Sequence, residues 1–345
     1  MHYFQQVFMT HTNYNIKHLN TFALDCEVEK LIEINSEKDL FLINSNPDSL
    51  NKRNIILGLG SNSIFVNDYF DGTILLVKNK GIEIIEEDSE TVVIEAYSGE
   101  DWDELVNFTC DKSWWGIENL AAVPSSVGAA IVQNIGAYGQ EIKDSFISCT
   151  TYNPRTNQWK EYNNEECKFD YRYSIFKYQK DIEIIWKIRL KLSKIPKINT
   201  SYSALKEKIQ NENLNITSSK EMCELVTQIR NSKLPDPKVL PNAGSFFKNP
   251  VISHEQFNTL QARYPNIASF KSTQGVKIAA GWLIEQAGWK GKKVGNVGMH
   301  EKQALVMVNY GGAKGEEILN LANEIEDSIK NKFNINLEKE VHIIL

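Results

Sequence analysis

Apolar residues recur along this chain with two periods, and each change of period marks an element. Asn54-Ile55-Ile56-Leu57 is a short apolar run ending at Gly58, the pattern of a buried strand. Asp71-Gly72 predicts a turn and residues 74–77 a second strand. Residues 82–86 and 92–96 predict a strand pair joined by a polar turn. Between Gly99 and Cys110 the period lengthens, and Trp102, Leu105, Val106 and Cys110 fall on one helical face. Trp186, Ile188, Leu190 and Leu192 then alternate with Lys187, Arg189 and Lys191, which predicts a half-exposed strand. Met222, Leu225, Val226 and Ile229 give a helix to about Arg230, stopped by Pro235 and Pro237. Ile318, Leu321, Ala322 and Ile325 mark a last long helix.

The tail, residues 335–345, reads as a strand. Its parity puts Ile335, Leu337, Val341 and Ile343 on one face. Glu338, Glu340 and His342 take the other, so Glu340 is expected to face a cleft. Strands and helices mix without a regular βαβ rhythm, which predicts an α+β fold. The polar stretch 193–220 suggests a domain border, and the stretch 121–139 is too poor in large side chains to read as ordinary core.

Composition narrows the function. The 345 residues correspond to two or three domains at roughly 100–200 residues each. The formal net charge is −6 and no basic stripe occurs, which argues against a nucleic-acid partner. Met1-His2-Tyr3-Phe4-Gln5-Gln6 lacks the pattern of a secretory signal, and no apolar run reaches the ~18 residues of a membrane span. The five cysteines lack C-x-x-C spacing, and His254-Glu255 has no second His at metalloprotease spacing. A reduced, cytoplasmic, metal-free protein is expected.

Five segments are candidates for chemistry. Gly58-Leu59-Gly60-Ser61-Asn62-Ser63 follows a strand, but Ser63 replaces the third glycine of a dinucleotide fingerprint and another strand follows. The segment is either a plain turn or a place where backbone approaches a phosphate, with Ser61 and Asn62 as donors. Pro124-Ser125-Ser126-Val127-Gly128 and Asn134-Ile135-Gly136-Ala137-Tyr138 are small-residue stretches. They serve either tight packing or an anion or planar ring resting on backbone N–H groups. Arg172 stands among aromatics and either stacks on a tyrosine at the surface or meets an anion or a carbonyl. Ser245, between Ala243-Gly244 and Phe246-Phe247, is either bonded to its own loop or a proton donor in a tight, dry pocket. The G-x-S-x-G elbow is absent there.

Taken in order, Asn20-Thr21-Phe22, Gly58-Leu59-Gly60-Ser61-Asn62, Glu118-Asn119-Leu120, Gln133-Asn134-Ile135-Gly136-Ala137-Tyr138-Gly139, Tyr171-Arg172-Tyr173-Ser174, Asn242-Ala243-Gly244-Ser245-Phe246-Phe247 and Leu337-Glu338-Lys339-Glu340 resemble the UDP-N-acetylenolpyruvoylglucosamine reductase family. The resemblance implies an FAD-binding module of the vanillyl-alcohol-oxidase type in two subdomains, residues 1–79 with 333–345 and residues 80–218. A substrate domain would follow at 219–332, and the tail strand would return to the first subdomain. It implies non-covalent FAD, NADPH as reductant and a UDP-sugar enolpyruvyl ether as substrate, in a monomer. FAD would be held by Gly58, Gly60, Ser61, Asn62, Pro124, Ser125, Ser126, Gly128, Asn134, Gly136, Ala137 and Tyr138, with Arg230 nearby. Tyr202, in a loop like that of the family's longer subtype, would hold substrate with Lys233 and Asn249. Arg172 and Glu340 would stabilise an enolate and Ser245 would donate a proton, Glu340 acting as a protonated or hydrogen-bonded group. Ser125, Tyr173, Lys339 and His342 depart from the family pattern, which touches cofactor fit and tuning. The competing assignments are another non-covalent FAD oxidoreductase of this fold and a flavin-free nucleotide-sugar binding protein.

Overall fold

The computed structural model describes residues 9–178, 181–272 and 274–345. The hexapeptide Met1–Gln6, read as no secretory signal, lies outside them. The chain forms two compact units. One runs to Tyr14 and continues through Val28–Leu59 and Asp71–Ser232; the other comprises Asn15–Glu27, Gly60–Phe70 and Lys233–Leu345.

The first unit is built on an antiparallel five-stranded sheet. Its order is Gln158–Asn163, Phe146–Asn153, Ile184–Ser193, Thr91–Tyr97 and Ile82–Glu87. Alternation places Ile188, Leu190 and Leu192 in the main core, while Trp186 packs with Ile184 and Tyr152 in a second cluster beyond an irregularity in the strand's register. The helix Trp102–Asp111 starts where the Asp101 side chain accepts from the N–H groups of Asp103 and Glu104. Its apolar stripe packs into the core with Met222, Leu225, Val226 and Ile229 of the helix Ser219–Lys233. The thiols of Cys110 and Cys223 meet between these two helices. That helix thus packs with the first unit, which extends to Ser232.

Three local expectations are overturned. The strand Tyr69–Val77 runs straight through Asp71-Gly72, where the dipeptide predicts a turn, and the bends fall at Asn67 and Asp68. Gly72 is buried in the strand, the close-packed position at which glycine serves without turning the chain. The small-residue stretch is core after all: Ala121, Val127, Ala130, Ile131 and Ile135 are buried in the main cluster. The tail is strand only at His342–Ile344, which pairs in parallel with Ser63–Phe65. Ile335, Leu337, Val341 and Ile343 all pack on the second unit's core, as their parity predicts, while Glu340 on the other face and Ile344 are buried as well.

The second unit carries a four-stranded sheet in the order Asn242–Ser245, Val306–Asn309, Val297–Met299, Lys293–Val294. The long helix Gly315–Phe333 buries Ile318, Leu321, Ala322, Ile325 and Ile329 in this unit's core. Gly315 is obligatory there, because a Cβ would lie 2.0 Å from the Phe65 carbonyl oxygen. All five cysteines are buried and free. Among the described residues no helix is long and apolar enough to cross a membrane, and no cluster of three or more His, Cys, Asp or Glu side chains is placed to hold a metal ion.

Glu95 sits 3% exposed in the first sheet and accepts from Lys187 Nζ at 2.7 Å and Arg189 Nε at 2.8 Å. Burial alone raises its pKa, but the two cations outweigh burial and hold the carboxyl below its ordinary range. Such a group contributes stability above its unfolded pKa, and the contribution is lost as pH falls through the folded one. Glu95→Gln is expected to lower stability by about 1 kcal/mol at neutral pH, with the gap closing below about pH 4. Denaturant melts across a pH series measure this; a gap that stays constant with pH would remove the carboxylate as its source.

Candidate active site

In the second unit, backbone hydrogen bonds bring distant stretches together. The tail runs beside the Ser245 segment: Glu340 N donates to Phe246 O and Lys248 N donates to Glu338 O, both at 2.8 Å. His342 N donates to Asn62 O at 2.8 Å, and Asn62 Nδ2 donates to Glu340 O at 3.3 Å. Glu340, at 8% exposure, is thus fixed between the Gly60–Asn62 loop and the Ser245 strand. Lys339 points away and bonds Glu326 at 2.6 Å and Asn323 at 3.1 Å on the long helix. His342 is exposed.

Ser245 is half-buried, and its hydroxyl has no hydrogen bond among the described residues. It is neither tied to its own loop nor sealed in a dry pocket. Gly244 before it has φ +67°, and nothing lies within 4 Å of where a Cβ would stand. The hydroxyl is therefore available to a guest. Asn249 uses its Oδ1 to accept from Ala280 N at 2.9 Å, and Lys233 is exposed at the end of its helix.

In the first unit a second group assembles. Arg172 Nη2 donates to Gly136 O at 2.7 Å, and the guanidinium also lies over the Tyr171 ring at 5.1 Å. Both sequence alternatives, stacking and a carbonyl partner, are realised. Arg172, Asn134, Tyr138 and Ala122 all have positive φ, an uncommon conformation for side-chain-bearing residues and one that collects at functional sites. Asn134 is fully buried, and its amide donates to Asp170 O and Glu141 Oε2, both at 3.1 Å. Its side chain therefore holds the arginine loop instead of facing a guest. Tyr173 closes that loop by pairing with Asp170.

Arg230 Nε donates to Ala122 O at 3.2 Å, and the side chain forms no ion pair among the described residues. Burial lowers its pKa, Tyr138 and Asp103 oppose that, and Arg172 is near enough to add to the lowering. Burial raises the Tyr138 pKa, so this ring stays a neutral phenol. The Tyr202 ring packs edge-on against Tyr138, with centroids 5.2 Å apart.

The Pro124–Gly128 stretch differs from expectation. Val127 N and Gly128 N donate inward to Glu100 O and Ser98 O, and the Ser125 hydroxyl donates to Ser126 O. These groups seat the loop rather than face an anion, and only Pro124 of the segment is exposed. The remaining candidates fit FAD. A Cβ on Gly58 would meet Ser126 Oγ at 2.2 Å and one on Gly128 would meet Ser98 at 2.7 Å, so backbone packs there as only glycine allows. The Ser98 hydroxyl is buried without a partner beside Gly128. In the second unit Thr21 Oγ1 likewise has no partner among the described residues, beside Gly60, and the half-buried Ser61 makes no hydrogen bond among them. Hydroxyl donors suit a pyrophosphate, and a desolvated guanidinium without an ion pair suits an electron-rich ring. Sequence reasoning assigned no role to Ser98 or Thr21; Thr21 lies in a matching motif, while nothing around Ser98 gives a signal.

Gly136 is where Arg172 comes closest to the backbone: an added Cβ would stand 3.0 Å from Nη1 and 2.9 Å from the Glu141 Cγ. Gly136→Ala is expected to cost about 1–3 kcal/mol, read as a lower melting temperature. A variant melting with its parent would show that the guanidinium yields freely.

Known proteins resemble this chain in sequence and in fold. The C-terminal domain profile of UDP-N-acetylenolpyruvoylglucosamine reductase matches residues 236–344, and an FAD binding domain profile matches residues 31–157. A reductase of that name from Flavobacterium johnsoniae is 42% identical over 336 residues, covering 96% of this chain and 99% of its own. One from Bdellovibrio bacteriovorus is 38% identical, covering 95% and 97%. The crystal structure of the reductase from Thermus caldophilus superposes with a TM-score of 0.68 at 20% identity, covering 98% of this chain and 99% of its own, a likeness of fold. With relatives of this identity matching nearly end to end, the chain belongs to the UDP-N-acetylenolpyruvoylglucosamine reductase family.

Proposed function

We propose that the chain reduces UDP-N-acetyl-3-O-(1-carboxyvinyl)-glucosamine to UDP-N-acetylmuramate with NADPH and FAD, a step of peptidoglycan precursor synthesis. The observation that supports this most is the pairing of the tail with the Ser245 strand. It ties buried Glu340 by its backbone to Phe246, the neighbour of Ser245, in a chain whose relatives carry the reductase name.

Bound FAD, reduced by NADPH, supplies a hydride to the terminal vinyl carbon of the substrate. Charge and proton are then handled by the chain's own residues. Addition of hydride to that carbon leaves an electron pair on the carbon bearing the carboxylate, delocalised as an enolate. Arg172 answers that charge with a fixed guanidinium, its orientation set by Gly136 and Tyr171. Glu340 adds a hydrogen bond when its carboxyl carries the proton. Ser245 delivers a proton to the carbanionic carbon and recovers it from water, a role that needs accurate placement because a serine hydroxyl is a weak acid. Gly58, Gly60, Ser61 and Asn62 would hold the cofactor, with Ser98 and Thr21 as added donors and Arg230 as a cation for it. Tyr202, Lys233 and Asn249 hold the diphosphate and sugar. Residues 1–79 with 333–345, 80–218 and 219–332 serve as the FAD subdomains and substrate domain, with the helix Ser219–Lys233 packed on the cofactor side.

Ser245→Ala is expected to leave flavin bleaching by NADPH intact while slowing its re-oxidation by the enolpyruvyl substrate about 10²-fold or more. Rapid-mixing absorbance separates the two half-reactions; equal slowing of both would make Ser245 structural. Glu340→Gln is expected to retain more turnover than Glu340→Ala, because an amide also donates. Parent-like turnover in the alanine variant would take Glu340 out of the mechanism.

A further inference from the structure

Asn119 has no part in the chemistry above, yet it is fully buried at the meeting of two loops in the first unit. One amide hydrogen of its Nδ2 reaches Tyr138 O at 2.9 Å, and the other reaches Asn199 O at 2.9 Å. Its own backbone N donates to Gln140 Oε1 at 3.0 Å. From the other side, Asn199 Nδ2 donates to Gly139 O at 2.9 Å. Asn199 Oδ1 accepts from Ser201 N at 3.0 Å and from Ser201 Oγ at 2.7 Å, which turns the chain directly before Tyr202. Gly139 has φ +82°, and a Cβ there would stand 2.2 Å from Ser201 Oγ. The two loops are laced together along their backbones, and the Tyr138 and Tyr202 rings cap the seam at 5.2 Å.

We infer that Asn119 is a positioning residue that clips the Tyr138 loop to the Tyr202 loop, so that the substrate-side tyrosine is held in register with the cofactor-side tyrosine. The inference rests on the proposed roles of Tyr138 and Tyr202; the clip itself rests on the hydrogen bonds. An amide is the side chain suited to this place. Two carbonyl oxygens from different loops need two donors on one atom, and among uncharged side chains of this size only Asn supplies them. A carboxylate would set negative charge against both carbonyls, and an apolar group would leave both part-buried oxygens unpaired. With the loop base fixed by Asn119 and Asn199, movement of the tyrosine begins beyond Ser201.

The test uses the flavin-loaded protein with Asn119→Ala, and with Asn199→Ala as a second break in the same lacing should the first fail to fold. Amide hydrogen exchange is expected to quicken about tenfold or more in residues 138–140 and 199–202 together. The KM for the enolpyruvyl UDP-sugar should rise about tenfold while the rate of flavin bleaching by NADPH stays within about twofold. Exchange that is unchanged, or raised in one loop alone, overturns the clip. Loosening of both loops with an unchanged KM sustains the clip and sinks the substrate role of Tyr202.

Discussion

Main-chain hydrogen bonding by the last residues of the chain is the constraint on which the second unit's chemistry rests. A tail running from Glu338 to Ile344 binds Lys248, Phe246 and Asn62 through the backbone and so joins three remote stretches. Backbone bonds are indifferent to side-chain identity, which explains why Lys339 and His342 can depart from the family pattern. Lys339 faces the long helix, His342 faces solvent, and neither disturbs the pairing that places Glu340. Glu340 is buried on the face opposite Leu337 and Val341, where the backbone meets Phe246 and Asn62.

The first unit solves a different problem, that of bringing a long cation against a backbone carbonyl. Gly136 supplies the room, Asn134 anchors the Asp170 end of the loop, and Arg172 itself adopts a left-handed conformation. Strain of this kind persists only where the surroundings over-determine it. Here the surroundings include a buried amide that donates twice and a Ser174 hydroxyl donating to Val132 O at 2.7 Å.

Strict periodicity was legible, and exceptions to it were not. The helix Trp102–Asp111, the strand Ile184–Ser193 and the helix Gly315–Phe333 emerge from spacing alone, because each has one wet and one dry face. Asp71-Gly72 misled because glycine also occurs at a buried position inside a strand. The stretch 121–139 misled because smallness reads as looseness in a sequence and as close packing in a core. At the candidate site the family motifs singled out Arg172, Ser245 and Glu340, while periodicity alone carried no sign of which backbone groups they would meet. Motif and geometry part company at Asn134, Ser125 and Gly128, whose polar groups turn out to serve the scaffold.

Arg230 bears on which molecules the first unit will tolerate. Its charge is desolvated and makes no ion pair among the described residues, and it feels Arg172 as well as the opposing Asp103 nearby. The repulsion between the two arginines exists before any guest arrives, so a positively charged visitor would deepen it and an electron-rich one would relieve it. Discrimination by sign is thereby written into the unliganded protein, upstream of any shape that the loops later impose.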